Sequence, residues 1–140
     1  MTELRRLFSD LARIHAQLVA AVDLRLRSEL GLPLALFDSM TAIGDVRDCR
    51  VHDLAARLGM TSGGASKLVD RLWAFGYCQR LPNTGDRRSN LLDLTPAGRQ
   101  LLAQASLIVD EELDRLFGRV LSEAQIRELA STLRAIHAPV

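Results

Sequence analysis

Residues 51–72 read Val51-His52-Asp53-Leu54-Ala55-Ala56-Arg57-Leu58-Gly59-Met60-Thr61-Ser62-Gly63-Gly64-Ala65-Ser66-Lys67-Leu68-Val69-Asp70-Arg71-Leu72. Val51 to Leu58 is a short amphipathic helical segment, and Gly59 stops it. Thr61 and Ser62 are both N-cap types, so a second helix starts there and runs to about Phe75, where Gly76 ends it. Two short helices joined by Leu58-Gly59-Met60-Thr61 have the shape of a helix-turn-helix.

The pattern on either side supports that unit. Downstream, Tyr77–Leu81 and Asn90–Leu94 are short extended segments. They bracket Pro82-Asn83-Thr84-Gly85-Asp86-Arg87-Arg88-Ser89, so together they predict a β-hairpin with a long basic tip. Thr95-Pro96 then opens a helix with a cap and a proline at its first position. Its apolar stripe runs through Leu101, Ala105, Ile108, Leu113 and Phe117. Gly118 and Leu121-Ser122 interrupt it, and Ser122-Glu123-Ala124-Gln125 fits a capping box for a last helix. Upstream, Leu4, Leu7, Phe8, Leu11, Ile14, Leu18, Val19 and Val22 predict a helix reaching about Leu30, before Gly31 and Pro33. Such a helix is about 40 Å long, more than a compact domain of this size needs. Part of its stripe is therefore expected to pack on another chain. A further helix is expected from about Leu34 to Val46.

Composition sets the outer limits. The chain has 140 residues, 48% apolar and 25% charged, an ordinary globular balance for one domain. Leu and Ala dominate, and the six aromatics are too few for a barrel or sandwich, so the expectation is mainly helical. No apolar run approaches a membrane span, and the N-terminus lacks the apolar core of a signal peptide. The expected location is the cytoplasm. The basic residues are 17 Arg and one Lys, Lys67, and the net charge is +1. That total hides an asymmetry: Arg47–Arg99 carries nine basic and five acidic residues, leaving −3 for the ends. A basic middle between acidic ends fits nucleic-acid contact. Phosphate-loop, nucleophile-elbow, zincin and dinucleotide fingerprints are missing, which argues against an enzyme. His15, His52 and His137 are too scattered for a metal site, and no cofactor is implied.

Within the second helix of the pair, Ser62, Gly63, Ser66, Lys67 and Asp70 share a polar face. Ala65, Leu68, Val69 and Leu72 can pack inward. Gly63-Gly64 costs about 1 kcal/mol of helix stability each relative to alanine, which points to close backbone approach. An arginine on the projecting Asp86-Arg87-Arg88 tip can enter a minor groove, with Asp86 holding a guanidinium in place.

These residues carry a family resemblance. Asp53-Leu54-Ala55, Leu58-Gly59-Met60-Thr61 and Ala65 to Leu72 come first, followed by Gly76-Tyr77 and Arg80. Asp86-Arg87-Arg88 and Leu94-Thr95-Pro96-Ala97-Gly98-Arg99 complete the series. In order and spacing they resemble the winged helix-turn-helix of MarR-type transcriptional regulators. The resemblance implies one domain over residues 1–140, with residues 34–99 binding DNA. Residues 1–30 and 100–140 would supply helices that intertwine into a homodimer. It implies a pseudo-palindromic double-stranded operator whose half-sites lie about one helical turn apart. Ser62, Gly63, Ser66 and Lys67 would then face bases and phosphates, and Arg88 would be the wing-tip arginine beside Arg87, braced by Asp86. Arg71 and Arg80 would serve phosphates or hold the wing to the helix.

The same resemblance implies a repressor released by a small aromatic or phenolic effector. By position in the fold, Arg13, His15, Phe37 and Met40 would line the effector pocket, and Trp73 would pack behind the recognition helix. Oxidant-sensing relatives carry a cysteine in the first helix, where this chain has none. Cys49 and Cys78 read as inert thiols, while Cys78 at the wing root leaves a redox-sensing alternative. The other alternative is a winged-helix protein-interaction module, which needs no basic wing.

Overall fold

The structure, a computed structural model, describes residues 2–82 and 90–137. Six helices and one hairpin follow in the order α1 (Glu3–Leu30), α2 (Leu34–Asp45), α3 (Val51–Leu58), α4 (Ser62–Ala74), β1 (Cys78–Leu81), β2 (Leu91–Leu94), α5 (Pro96–Phe117) and α6 (Glu123–His137). This is the expected mainly helical fold with a two-stranded wing.

Local chemistry places most boundaries. The Thr2 hydroxyl accepts the Arg5 N–H to open α1, and the Gly31 N–H closes its end on the Arg27 carbonyl. The Thr95 hydroxyl accepts the Gly98 N–H at 3.0 Å, so the Thr-Pro pair does start α5. Ser122 and Gln125 exchange bonds of 2.9 and 3.2 Å, the capping box read from the sequence. Each strand begins one residue later than expected, at Cys78 and Leu91.

The core gathers Val22 and Leu26 of α1, Leu36, Met40 and Ile43 of α2, and Leu54 of α3. Val69 and Leu72 of α4, Leu92 and Leu94 of β2, and Ala105 and Val109 of α5 complete it. Burying each large aliphatic side chain here contributes about 1.5–3 kcal/mol, so this cluster decides how α2, α3 and α4 stack. The strands pair antiparallel, with Cys78 opposite Leu94 and Arg80 opposite Leu92. The Leu92 N–H donates to the Cys49 carbonyl at 2.7 Å and fastens the hairpin to the segment before α3.

Helices α1 and α6 keep whole apolar stripes outside this core. Leu4, Leu7, Phe8, Leu11 and Ile14 of α1 are exposed, Phe8 by 76%. No residue of α6 is buried, and Ile126, Leu129, Leu133 and Ile136 all face solvent. An apolar cavity of about 370 Å³ opens between them, lined by Leu7, Leu11, Ile14, Phe117 and Leu129 among others. The excess length of α1 thus does carry an unpartnered stripe, as its periodicity implied.

Candidate nucleic-acid interface

Helix α4 divides its residues as its spacing requires. Ala65, Val69 and Leu72 are buried and Leu68 packs half-buried against the core. Ser62, Gly63 and Lys67 are exposed, and Ser66 is partly so. Thr61 is the N-cap, its hydroxyl accepting the Gly64 N–H at 3.1 Å, which leaves the Ser62 hydroxyl outside the cap. The two glycines answer different demands. A methyl on Gly64 would lie 2.9 Å from Met60 Cε and 3.3 Å from Thr61 Oγ1, so this glycine serves the turn. A methyl on Gly63 would meet nothing within 4 Å. Of the two, Gly63 has the open outer surface that close approach of another molecule demands.

The hairpin is braced against α4. Residues two apart on a strand share a face, so Arg80 lies on the same side as buried Cys78 and opposite Leu92. Its guanidinium bonds the Asp70 carboxylate at 2.6 Å and lies 5.6 Å from the centre of the Trp73 ring. Arg80 therefore holds the wing to the helix, one of the two roles open to it from the sequence. Trp73 is not behind the helix but 50% exposed, at the flank where Arg80 covers it. Asp70 likewise joins this brace. Arg71 is exposed on α4. Asp86, Arg87 and Arg88 lie outside the described residues.

Between α3, α4 and the hairpin is a polar cavity of about 350 Å³, lined by Val51, His52, Ser62, Ser66, Arg80, Asn90 and Leu92. It joins three of the expected contact residues, Ser62, Ser66 and Arg80. His52 and Asn90 were not among the expected contacts. They are far apart in sequence, and no motif spacing marks them; the fold alone brings them together.

The expected effector residues do not converge. Arg13 and His15 are exposed on α1, with Arg13 paired to Asp10 at 3.7 Å. Met40 is fully buried in the core. Phe37 lines a different cavity, with Asp38, Thr41, Ala42, Arg57 and Leu58. Met40 turns inward from α2 with Leu36 and Ile43, into the hydrophobic core.

Both cysteines are buried, Cys78 to 3% exposure. Burial pushes the Cys49 thiol up to about 11, reinforced by Asp53 and Cys78, and burial raises Cys78 as well. Neither site has the exposed, electropositive setting that makes a thiol reactive, so the geometry speaks against Cys78 as an oxidant sensor.

Residues 32–89 match the profile described as MarR family. The multiple antibiotic resistance protein MarR of Escherichia coli (strain K12) is 26% identical over 109 residues, 78% of this chain and 76% of that protein. A mutant MarR from E. coli, complexed with operator DNA, superposes with a TM-score of 0.84 at 23% identity, covering 96% of this chain and 95% of that one. CouR from Rhodococcus jostii RHA1, bound to p-coumaroyl-CoA, superposes with a TM-score of 0.80 at 26% identity, covering 93% and 90%. With the helix-turn-helix, the braced hairpin and the Thr-Pro start of α5 all in register, the chain has the winged-helix fold of these structures, and its residues 32–89 are similar to the MarR family of transcriptional regulators.

Proposed function

We propose that this protein is a homodimeric repressor that lays α4 in the major groove of a pseudo-palindromic operator. Ser62, Gly63, Ser66, Lys67 and Arg71 contact bases and phosphates there. Arg88, with Arg87 beside it and Asp86 as brace, enters the adjacent minor groove. One observation carries this reading: α4 presents an exposed face of small polar residues and one lysine directly beside a hairpin locked to it through Arg80 and Asp70. In this reading residues 34–99 form the DNA-binding region, and residues 1–30 and 100–140 form the dimer. The exposed stripes of α1 and α6 support a second copy of the chain as what covers them.

A small aromatic or phenolic effector releases the operator. An effector that binds better when the two heads are wrongly spaced must weaken DNA affinity by the same coupling, typically 1–3 kcal/mol. CouR is bound to p-coumaroyl-CoA, which makes that compound and its free acid the first effectors to test.

The test is fluorescence anisotropy against the duplex upstream of the protein's own gene and a scrambled duplex of equal length. Tight binding to the native duplex alone, saturating at two protomers per site, is the expected result. Failure to bind either duplex at low salt would remove the DNA-binding assignment and favour a protein-interaction module.

A further inference from the structure

The cavity between α3, α4 and the hairpin is lined with hydrogen-bond donors from separate elements: His52 of α3, Ser62 and Ser66 of α4, Arg80 of β1, and Asn90. The neighbouring carboxylate is already engaged, because Asp53 Oδ2 accepts the Arg50 N–H at 2.9 Å and so caps α3. The other oxygen of Asp53 lies 3.3 Å from His52 Nε2. Every polar side chain of this lining can turn an N–H or O–H toward a common centre, and none is a carboxylate, so the lining fits one tetrahedral anion. Ser62 and Ser66, which face DNA in the reading above, are part of its lining.

We propose that this cavity seats one backbone phosphate of the DNA and that His52, as its imidazolium, makes the contact proton-linked, so that DNA affinity falls as pH rises. The inference rests on the DNA-binding reading and deepens it. Histidine is the side chain whose charge changes between about pH 5 and 8, and a phosphate beside it favours the protonated ring. Asp53 supports that ring from behind while the other nitrogen is left for the phosphate oxygen.

Among the described residues, the other charged side chains of the elements packed around His52 are lysine, arginine and carboxylates, and most of the carboxylates are paired. On α4, Lys67 and Arg71 are exposed, and Asp70 is taken up by Arg80 of the hairpin. On α2, Asp45 pairs with Arg57 and Asp38 shares a cavity with Arg57, both at the far end of α3. On β2, Asp93 pairs with Arg99.

The experiment measures anisotropy of a labelled mixed-sequence duplex spanning two half-sites, at about pH 6 and pH 8 and fixed ionic strength, for wild type, His52→Gln and His52→Arg. Wild type is expected to bind roughly three- to tenfold more weakly at the higher pH, the range set by two exposed ion pairs, one per half-site, each worth roughly two- to threefold. His52→Gln should be weak and flat across pH, and His52→Arg tight and flat. Rescue by arginine separates a charge contact from a role in folding, and thermal melts of the three proteins check that all are folded. An unaltered pH slope in His52→Gln, or weak binding by a folded His52→Arg, overturns the proposal while leaving the DNA-binding reading intact. Failure of wild type to bind duplex at either pH overturns both. Inorganic phosphate that binds the free wild type but not His52→Gln, with duplex affinity equal in the two, would overturn it in favour of a free-anion site.

Discussion

Replacing Gly98 by alanine sets helix propensity against packing, and the structure supplies the quantities that decide between them. Gly98 lies in the first turn of α5, where it meets the segment linking α4 to β1. Thr95 ties the two together: its hydroxyl donates to the Gly76 carbonyl at 2.6 Å and its N–H to the Tyr77 carbonyl at 3.1 Å. A methyl on residue 98 would sit 2.1 Å from the Tyr77 carbonyl oxygen, 3.0 Å from its carbon and 3.2 Å from its Cα. All three are backbone atoms, so no side chain can swing away. Ordinary carbon–oxygen contact begins near 3.3 Å, so α5 or the Tyr77 peptide must retreat by about an ångström. Alanine gains at most about 1 kcal/mol of helix propensity. Overpacking costs about 1–3 kcal/mol, and loosening the Thr95 bonds about 1 kcal/mol more. The expected net is a loss of about 2 kcal/mol, seen as a lower urea midpoint with an unchanged slope. A Gly98→Ala protein as stable as wild type, or more so, would refute the reasoning and show that α5 does not pack on Tyr77 this closely.

Gly63→Ala is the counter-case: with open space at that position, stability should hold or rise by up to about 1 kcal/mol in urea unfolding, while duplex affinity falls. Unchanged affinity would remove Gly63 from the interface. Lys67→Ala should reduce the slope of log affinity against log salt by about one unit, and an unaltered slope would mean that Lys67 neutralises no phosphate. A thiol near 11, as for Cys49, is about one-thousandth thiolate at pH 8, so a chromogenic disulfide reagent should label the folded protein far more slowly than the denatured one. Rapid native labelling of Cys78 would restore the redox reading. The Asp23 carboxylate accepts the Leu34 N–H at 2.9 Å, and this bond, aided by Arg27, holds it below its ordinary value of 3.8. Because the folded form has the lower value, its stabilising effect is present above about pH 4 and fades as pH falls through the folded value. Asp23→Asn should therefore melt below wild type at neutral pH and converge with it in acid; a constant gap would argue against this linkage.

Elements and their order were legible in the sequence because each boundary has its own chemistry. Thr61, Thr95-Pro96 and the Ser122–Gln125 box announce helix starts through bonds made within four residues, and such bonds do not wait for tertiary structure. Long-range placement was not legible in the same way. Periodicity identified the stripe on α1, yet the same spacing describes Val22 in the core and Phe8 in solvent. Spacing alone does not distinguish an intramolecular partner from a second chain. Trp73 failed for a related reason: it follows Leu72 by one residue and so sits about 100° around the helix, at the edge of the buried face, where Arg80 could claim it. The polar face of α4 was read correctly, but Asp70 on that face is turned to the hairpin by a partner ten residues away. His52 and Asn90 belong to the same class, since only the folded chain brings them to one cavity.

The brace constrains how a dimer of this protein would respond to an effector. Arg80 links β1 to α4 by an ion pair and a ring contact, and the Leu92 N–H links β2 to the segment before α3. The wing root is thereby tied to the recognition helix on one strand and to the segment before α3 on the other, so it does not swing without breaking several contacts at once. The stem is fastened to itself in turn. The buried Glu112 carboxylate of α5 bonds Arg115 and reaches Arg25 of α1 at 3.5 Å, and those guanidinium groups, Arg115 first, hold it below the usual carboxylate range. Val22 and Leu26 of α1 and Ala105 and Val109 of α5 also share one core with α2, α3 and α4, so head and stem of one protomer are packed together. Under the dimer reading, an effector gains its leverage from the distance between the two heads rather than from the shape of either. Cutting the brace with Arg80→Ala should therefore loosen operator affinity without abolishing the effector's response, because the contact between the two protomers that would carry the response is left in place.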